Sequence, residues 1–397
     1  MRDPGALMAH PLFAPVRTHL DRMSDTTGIF QHAAGSTPDP GHGYCVDDVA
    51  RALQVDLLQA NRLGWEAVAG SAWRNLAFLQ AAFDAGTGRF RNFRSAEGAW
   101  STEPASDDCQ GRAIHALGDA VVATFDAHHA AQARTLFRMA LPATRRLEAP
   151  RAIASVVLGC GAVVQAGGSA SVMGTYRRLA RTLATIVERG AGEYGGPDWP
   201  WPEPALTYEN ALIPRALIVA GAALHVDPMR RRGLALLDWL IEIQVAPAGH
   251  LSPVGNTWWA RGGPRGPFDQ QPIEATSLLA ASQAAFATTG DARYAAAAER
   301  VYGWFLGAND LGLPVADPVR GACHDGLTAK GCNANQGAES TLMWLNAVER
   351  MAALRDAVQA RARDAGDWSG RVAPRASVAG RRIQPAVALR LLPALPR

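Results

Sequence analysis

Short and long gaps alternate between the amphipathic segments of this chain, and few folds accommodate that pattern. Apolar residues recur with helical spacing over twelve segments, at 9–24, 46–63, 66–83, 107–125, 127–147, 150–166, 169–189, 207–225, 227–245, 271–288, 291–306 and 336–358. The two-residue alternation of a half-buried strand is almost absent. Only a few residues join segments two and three, four and five, six and seven, eight and nine, and ten and eleven, so each pair reads as an antiparallel hairpin. Long Gly-, Pro- and Trp-rich stretches precede segments two (25–45), four (84–106), eight (190–206), ten (246–270) and twelve (307–335). Segment six is the exception, with only Glu148–Pro150 before it.

The pattern predicts an all-α fold, an (α/α)6 toroid of about twelve helices. Even-numbered helices form its inner ring, odd-numbered helices its outer ring, and the long loops gather at one rim. Loops beyond about 12–15 residues in a compact domain are usually functional or disordered, so the rim is the place to look for a site. Residues 152–167 and 210–225 are apolar nearly all round, as inner helices should be, whereas 175–190 carries a charged face. No linker marks a second domain, so one toroid domain is expected over 1–360. Residues 361–397, polar and rich in Arg, Gly and Pro, read as a partly disordered surface tail.

Composition narrows the function classes. A net charge of +3 in 397 residues, with no basic block, argues against a nucleic-acid partner. The N-terminal run MRDPGALMAHPLFAP lacks the apolar core of a secretory leader, and no stretch approaches the ~20 apolar residues of a membrane span. Five scattered cysteines (Cys45, Cys109, Cys160, Cys323, Cys332) fit reduced thiols in a cytoplasmic protein.

The toroid would bring six segments to one rim: HGYCVDDVAR, SDDCQGRA, PRA, PDWPWPEPALTYENALIPRA, GHLSPVGNTWWARGGPRGPFDQQPIEAT and CHDGLTAKGCNANQGAEST. Five of the six hold carboxylates at or near a helix N-terminus: Asp47 and Asp48, Asp107 and Asp108, Glu203 and Glu209, Asp269 and Glu274, and Glu339. Taken singly, each acid has an ordinary explanation, because Asp caps helices and Glu in a first turn complements the helix dipole. One aspartate of each doublet is accordingly expected to cap its helix.

The conjunction asks for more. Aromatic faces stack on the C–H face of a sugar ring, while acids, amides and arginines satisfy its hydroxyls. The expected substrate contacts are His42, Tyr44, Asp47, Arg51, Asp107, Arg112, Trp199, Trp201, Tyr208, Asn210, His250, Trp258, Trp259, Gln270, Gln271, Asn335, Gln336 and Glu339. Two opposed carboxylates are what glycosidic cleavage needs, and Asp48, Asp108, Glu209 and Glu274 are the candidates.

Several of these runs also resemble a known module. HGYCVDDVARAL, SDDCQGRA, WPWPEPALTYENALIPRAL, GHLSPVGN, FDQQPIEA and NANQGAEST resemble the (α/α)-barrel module of the six-hairpin glycosidase-like superfamily, over roughly residues 40–345. More narrowly, they are similar to a bacterial module attached to, or encoded near, retaining glycosyltransferase-like proteins. The resemblance implies the toroid, a carbohydrate context and a functional link to a glycosyltransferase. It implies no role for any single residue, and no Rossmann-type transferase half is expected in the chain.

Roles can be assigned by surroundings. Asp48 and Arg51 share a helix face, as do Asp108 and Arg112, and an arginine that lowers a carboxyl pKa suits a base. The Trp-rich approach to Glu209, or the FDQQPI run before Glu274, suits a general acid. The expected function is a glycoside hydrolase acting on an oligosaccharide or glycan, inverting by analogy with other toroids, with no cofactor and no metal.

Three other readings stay open. A sugar 2-epimerase would use a histidine pair, for which His42, His115, His250 and His324 are available. Zinc at Cys323, His324 and Cys332, with His42, Cys45 and Cys109, lacks any CxxC or HExxH spacing. A non-catalytic glycan-binding partner of a transferase is the third.

Overall fold

The structure is a computed structural model that describes residues 9–364. Among them are twelve α-helices: α1 (Thr18–Arg22), α2 (Val46–Leu63), α3 (Ala69–Ala82), α4 (Asp107–Val122), α5 (Ala127–Ala140), α6 (Pro150–Gln165), α7 (Ala170–Glu193), α8 (Leu212–Ala223), α9 (Asp227–Ile243), α10 (Pro272–Thr289), α11 (Ala292–Phe305) and α12 (Ala338–Asp364). The even-numbered helices touch one another in cyclic order, and α12 closes the ring against α2. From α3 to α11, each odd helix packs against its hairpin partner, and the short α1 lies against α12. The chain therefore folds as the all-α (α/α)6 toroid that its gap pattern predicts.

Burial follows position in the ring. Inner helices α6 and α10 are buried on nearly every side, while outer helices α7 and α9 bury a stripe and leave their charges in water. Two inner helices approach with their backbones in contact. A Cβ on Gly111 of α4 would stand 2.7 Å from the Ala152 carbonyl oxygen, and one on Gly159 of α6 would stand 2.7 Å from that of Ile114. Glycine costs a helix about 1 kcal/mol relative to alanine, and here the loss permits a crossing that no side chain would fit.

Four departures from the sequence expectation have physical causes. The first helix shrinks from 9–24 to α1, because Pro11 and Pro15 remove backbone donors and constrain the residues before them. The stretch 25–45 contains an antiparallel ribbon, β1 (Phe30–Ala34) and β2 (Thr37–Cys45), turning at Gly35 with φ 60°. Two prolines and two glycines in β2 hid it, since both residues are depleted in strands. Helix α8 starts at Leu212 rather than 207, because Glu209 adopts φ 46° and breaks the helical path. Of the tail expected from 361, residues 361–364 continue α12 and the remainder lies outside the described residues.

The rim loops are stitched together around the ring. Strand β2 pairs with Phe93–Arg94 of the stretch before α4, and Ala205–Leu206 pairs with Trp259–Ala260 across the approaches to α8 and α10. Gln270 bridges to Leu327, joining the approaches to α10 and α12. Gln336 donates its N–H to the Gly35 carbonyl at 2.9 Å, and Gly35 donates to Asn335 Oδ1 at 3.0 Å, closing α12 onto the ribbon. No helix among the described residues is long and apolar enough to cross a membrane.

Candidate active site

Neither aspartate doublet caps its own helix. Cys45 is the N-cap residue of α2 and makes no side-chain cap, while Ser106 caps α4 by accepting from the Cys109 N–H at 3.1 Å. Asp107 instead accepts from Arg89 at 2.8 Å and from the Glu148 and Ala149 N–H groups at 2.9 and 3.3 Å. It thereby satisfies backbone donors at the start of α6, which has no side-chain cap, and ties α4 to α6. Asp47 and Asp48 are left free for side-chain partners within the ring.

Those partners are arginines. Arg51 donates to Asp48 Oδ1 at 2.7 Å and reaches Glu339 of α12 at 2.8 Å. Arg112 of α4 lies 3.3 Å from Asp47 of α2 and 2.8 Å from Glu209, just before α8. Glu274 of α10 accepts the Glu209 N–H, and its second oxygen accepts Asn210 Nδ2 at 3.0 Å. The strained backbone at Glu209 is therefore held by a carboxylate from the next inner helix, a setting typical of functional sites. The Tyr208 hydroxyl donates to Asp108.

Arg151, in the first turn of α6, joins these groups. Its guanidinium makes a two-pronged contact with Glu203 at 2.8 and 2.9 Å, donates to Asn210 Oδ1 at 3.0 Å and stacks over the Tyr208 ring at 4.8 Å. Arg151 belongs to the PRA run at this mouth and is not among the contacts expected from the sequence. The signal was available, because a buried arginine at a rim rich in acids needs carboxylate partners.

Inside the mouths lies a cavity on the toroid axis, about 40 Å3 in volume. All six inner mouths or helices contribute: Arg51 and Gln54, Arg112 and His115, Ser155, Glu209 and Arg215, Thr276, Ser277 and Ala280, and Met343, Asn346 and Arg350. Gln54, Ser155, Arg215, Thr276, Asn346 and Arg350 were not anticipated. They lie in helix interiors, where a sequence shows periodicity but not which polar residue faces the axis.

Burial sets the protonation chemistry. It raises Asp48 to about 7 against the pull of Arg51, and Glu274 to about 7 against the donors that hold it. It also raises Asp47, whose buried Oδ1 has no hydrogen-bond partner. His115 is pushed well below its usual value by burial and by Arg215, Arg350 and Arg112, so it is neutral at pH 7.

Several expected contacts are committed elsewhere. Tyr44 is buried, stacks on Phe30 and donates to Asp25 at 2.6 Å. Trp199 and Trp201 are buried against Trp239, and Trp199 also packs on Trp259. Trp259 donates to the Gly263 carbonyl. Tyr44, Trp199 and Trp201 are core and Trp259 is partly buried edge-on against Trp199, so these rings are committed to packing. Gln270 is fully buried between Asp310, Pro267 and Trp304. His250 pairs with the same Asp310 at 2.8 Å. Asn335 and Gln336 hold the ribbon through the bonds given above, and Gln336 accepts from His19 through its carbonyl.

His42 is exposed beside Asp39 and His32, and Gln271 is the N-cap residue of α10 without a side-chain cap. Trp258 is half exposed with φ 65° and is the free aromatic surface left among the expected tryptophans. For the zinc reading, Cys323 is buried and its thiol donates to a neighbouring carbonyl. No group of three or more metal-ligating side chains converges among the described residues.

No family model matches the chain, and no curated protein matches its sequence. Solved structures do share its shape. A sugar epimerase from a ruminal bacterium superposes with a TM-score of 0.67 at 13% identity, over 85% of this chain and 95% of its own. Cellobiose 2-epimerase from Spirochaeta thermophila gives 0.65 at 14%, over 89% and 97%. A GH76 α-mannanase from Bacteroides thetaiotaomicron gives 0.63 at 11%, over 90% and 100%. At such identities the likeness is one of fold alone, and the shared fold is the (α/α)6 toroid described above.

Proposed function

We propose that the chain is a carbohydrate-active enzyme, a glycoside hydrolase working where the inner-helix mouths open onto the toroid axis. The observation that carries this reading is convergence. Asp47, Asp48, Glu209 and Glu339 come from three different mouths, and arginines that line one cavity tie them together. Had these acids been scattered over the surface, no paired-carboxylate chemistry would follow.

The surroundings reverse the roles expected from sequence. Asp48, raised to about 7 by burial, is the general acid that protonates the leaving glycosidic oxygen. Glu209, ion-paired to Arg112, is the base that takes a proton from water as the water attacks the anomeric carbon. The C–O bond breaks, its electrons pass to the protonated oxygen, and the product anomer is inverted. Both oxygens of Glu274 are occupied by N–H donors, so it positions Glu209 and donates no proton. The glycosyltransferase link that the sequence resemblance implies fits an enzyme trimming or releasing a glycan.

His115 favours a second reading. It is neutral and on the axis, which suits a base for C2 epimerisation. Histidine-pair chemistry needs a second imidazole, and among the described residues His115 is the one histidine lining the cavity. Proton NMR of a glycan panel in D2O separates the readings. Hydrolysis is expected, falling by about 10²–10⁴-fold in Asp48→Asn and Glu209→Gln with glycan binding retained. Deuterium entering C2 without cleavage, abolished by His115→Ala, would establish the epimerase instead.

A further inference from the structure

The inner part of the axial cavity is cationic in a way that hydrolysis of a neutral sugar does not explain. Arg215 projects from α8 and Arg350 from α12, and both line the cavity beneath the Arg51, Arg112 and Glu209 mouth. Side chains on a helix lean towards its N-terminus, so both guanidiniums lean towards the opening. Among the described residues Arg350 bonds only neutral groups, donating to Asn346 Oδ1 at 2.6 Å and to Gln283 Oε1 at 3.1 Å. The Arg215 guanidinium has no hydrogen bond or ion pair among the described residues.

Asp119 attracts both guanidiniums through space but bonds neither of them. Asp119 accepts from Gln54 at 2.7 Å and stands 3.9 Å from His115. Burial and mutual repulsion lower Arg350 to about 9, and burial lowers Arg215 despite Asp119 and Glu209. The one carboxylate lining this space, Glu209, is ion-paired to Arg112, so two buried or half-buried guanidiniums face the cavity without a bonded counter-charge, a cost that an incoming anion removes.

Size and shape select the anion. A cavity of about 40 Å3 admits a small group but not a pyranose ring. A planar carboxylate matches a guanidinium fork with two parallel hydrogen bonds. We infer that the axial cavity binds the C6 carboxylate of a uronic acid residue, held by Arg215 and Arg350, with the sugar ring at the mouth between Asp48 and Glu209. This inference rests on the carbohydrate reading and narrows its substrate to acidic glycans.

Calorimetry with sugars matched except at C6 tests it: glucuronate with glucose, galacturonate with galactose, and mannuronate with mannose, each beside its 6-phosphate. In at least one set the uronate is expected to bind about tenfold or more tighter than the neutral sugar, the worth of one charge-assisted contact. Arg215→Gln and Arg350→Gln should each erase that preference while neutral-sugar affinity stays level, and Arg215→Lys should restore part of it. The neutral sugar binding equally well, or a preference that survives both glutamine variants, overturns the inference and leaves the carbohydrate reading standing. A 6-phosphate binding tighter than the uronate overturns the carboxylate assignment. Binding of none of these sugars, with no turnover on a polymeric glycan panel, overturns both readings together. The wild-type comparison needs no variant to fold.

Discussion

Asp48 and Glu209 are both acids beside an arginine, and burial is what separates them. Asp48 is raised from 3.8 to about 7, so the folded protein holds its proton more tightly than the unfolded chain does. The stability this supplies is complete below pH 3.8 and drains away as pH rises through about 7. Asparagine does not titrate. Asp48→Asn is therefore expected to gain Tm relative to wild type as pH is raised from 4 to 8, measured by parallel melts. Turnover should decline on the same limb, as the general acid loses its proton above about 7. Arg151 makes a different prediction, since its loss removes the one ion-pair partner of Glu203 among the described residues. Arg151→Ala should cost about 3 kcal/mol in urea unfolding, the lower end for a buried pair because Glu203 keeps some solvent access. The carboxylates of this network were legible from the sequence because each sits at a helix mouth. Their roles were not, because burial and arginine contacts depend on which mouths meet.

Among the elements, α4 and α6 show how a ring of helices is drawn tight. Gly111 and Gly159 sit where the two backbones touch, so an added side chain must push the helices apart. Gly159→Val is expected to destabilise the protein by about 1–3 kcal/mol or more, the usual cost of overpacking. The same change at Gly174, which has nothing within 4 Å of a Cβ, should instead stabilise by about a few tenths of a kcal/mol, because valine is the better helix former. Chemical denaturation of the pair checks the contrast. The twelve helices were legible because amphipathic periodicity survives in sequence. The β1–β2 ribbon and the α8 start were not. Strand pairing there is set by contacts to residues far along the chain, such as Gly35 to Asn335, and Glu209 is held in its left-handed turn by Glu274.

At the scale of the whole molecule, the ring of inner helices converts six separate loops into one site. Backbone pairing and side-chain bridges link neighbouring rim segments, so the acids of α2, the turn before α8 and α12 hold fixed positions around the cavity. The sequence made the rim visible through its long loops, but several of its tryptophans turn inward to build the rim itself. A rim composition rich in aromatics marks a site without saying which rings face the ligand. In the proposed mechanism a glycosidic bond lies at the axial mouth between Asp48 and Glu209. A crystal structure of Glu209→Gln with a bound oligosaccharide tests it most directly. A glycosidic oxygen is expected within hydrogen-bond reach of Asp48, with the anomeric carbon facing the side chain at position 209. An oligosaccharide seated away from the axis, or one whose glycosidic oxygens touch neither side chain, would contradict it.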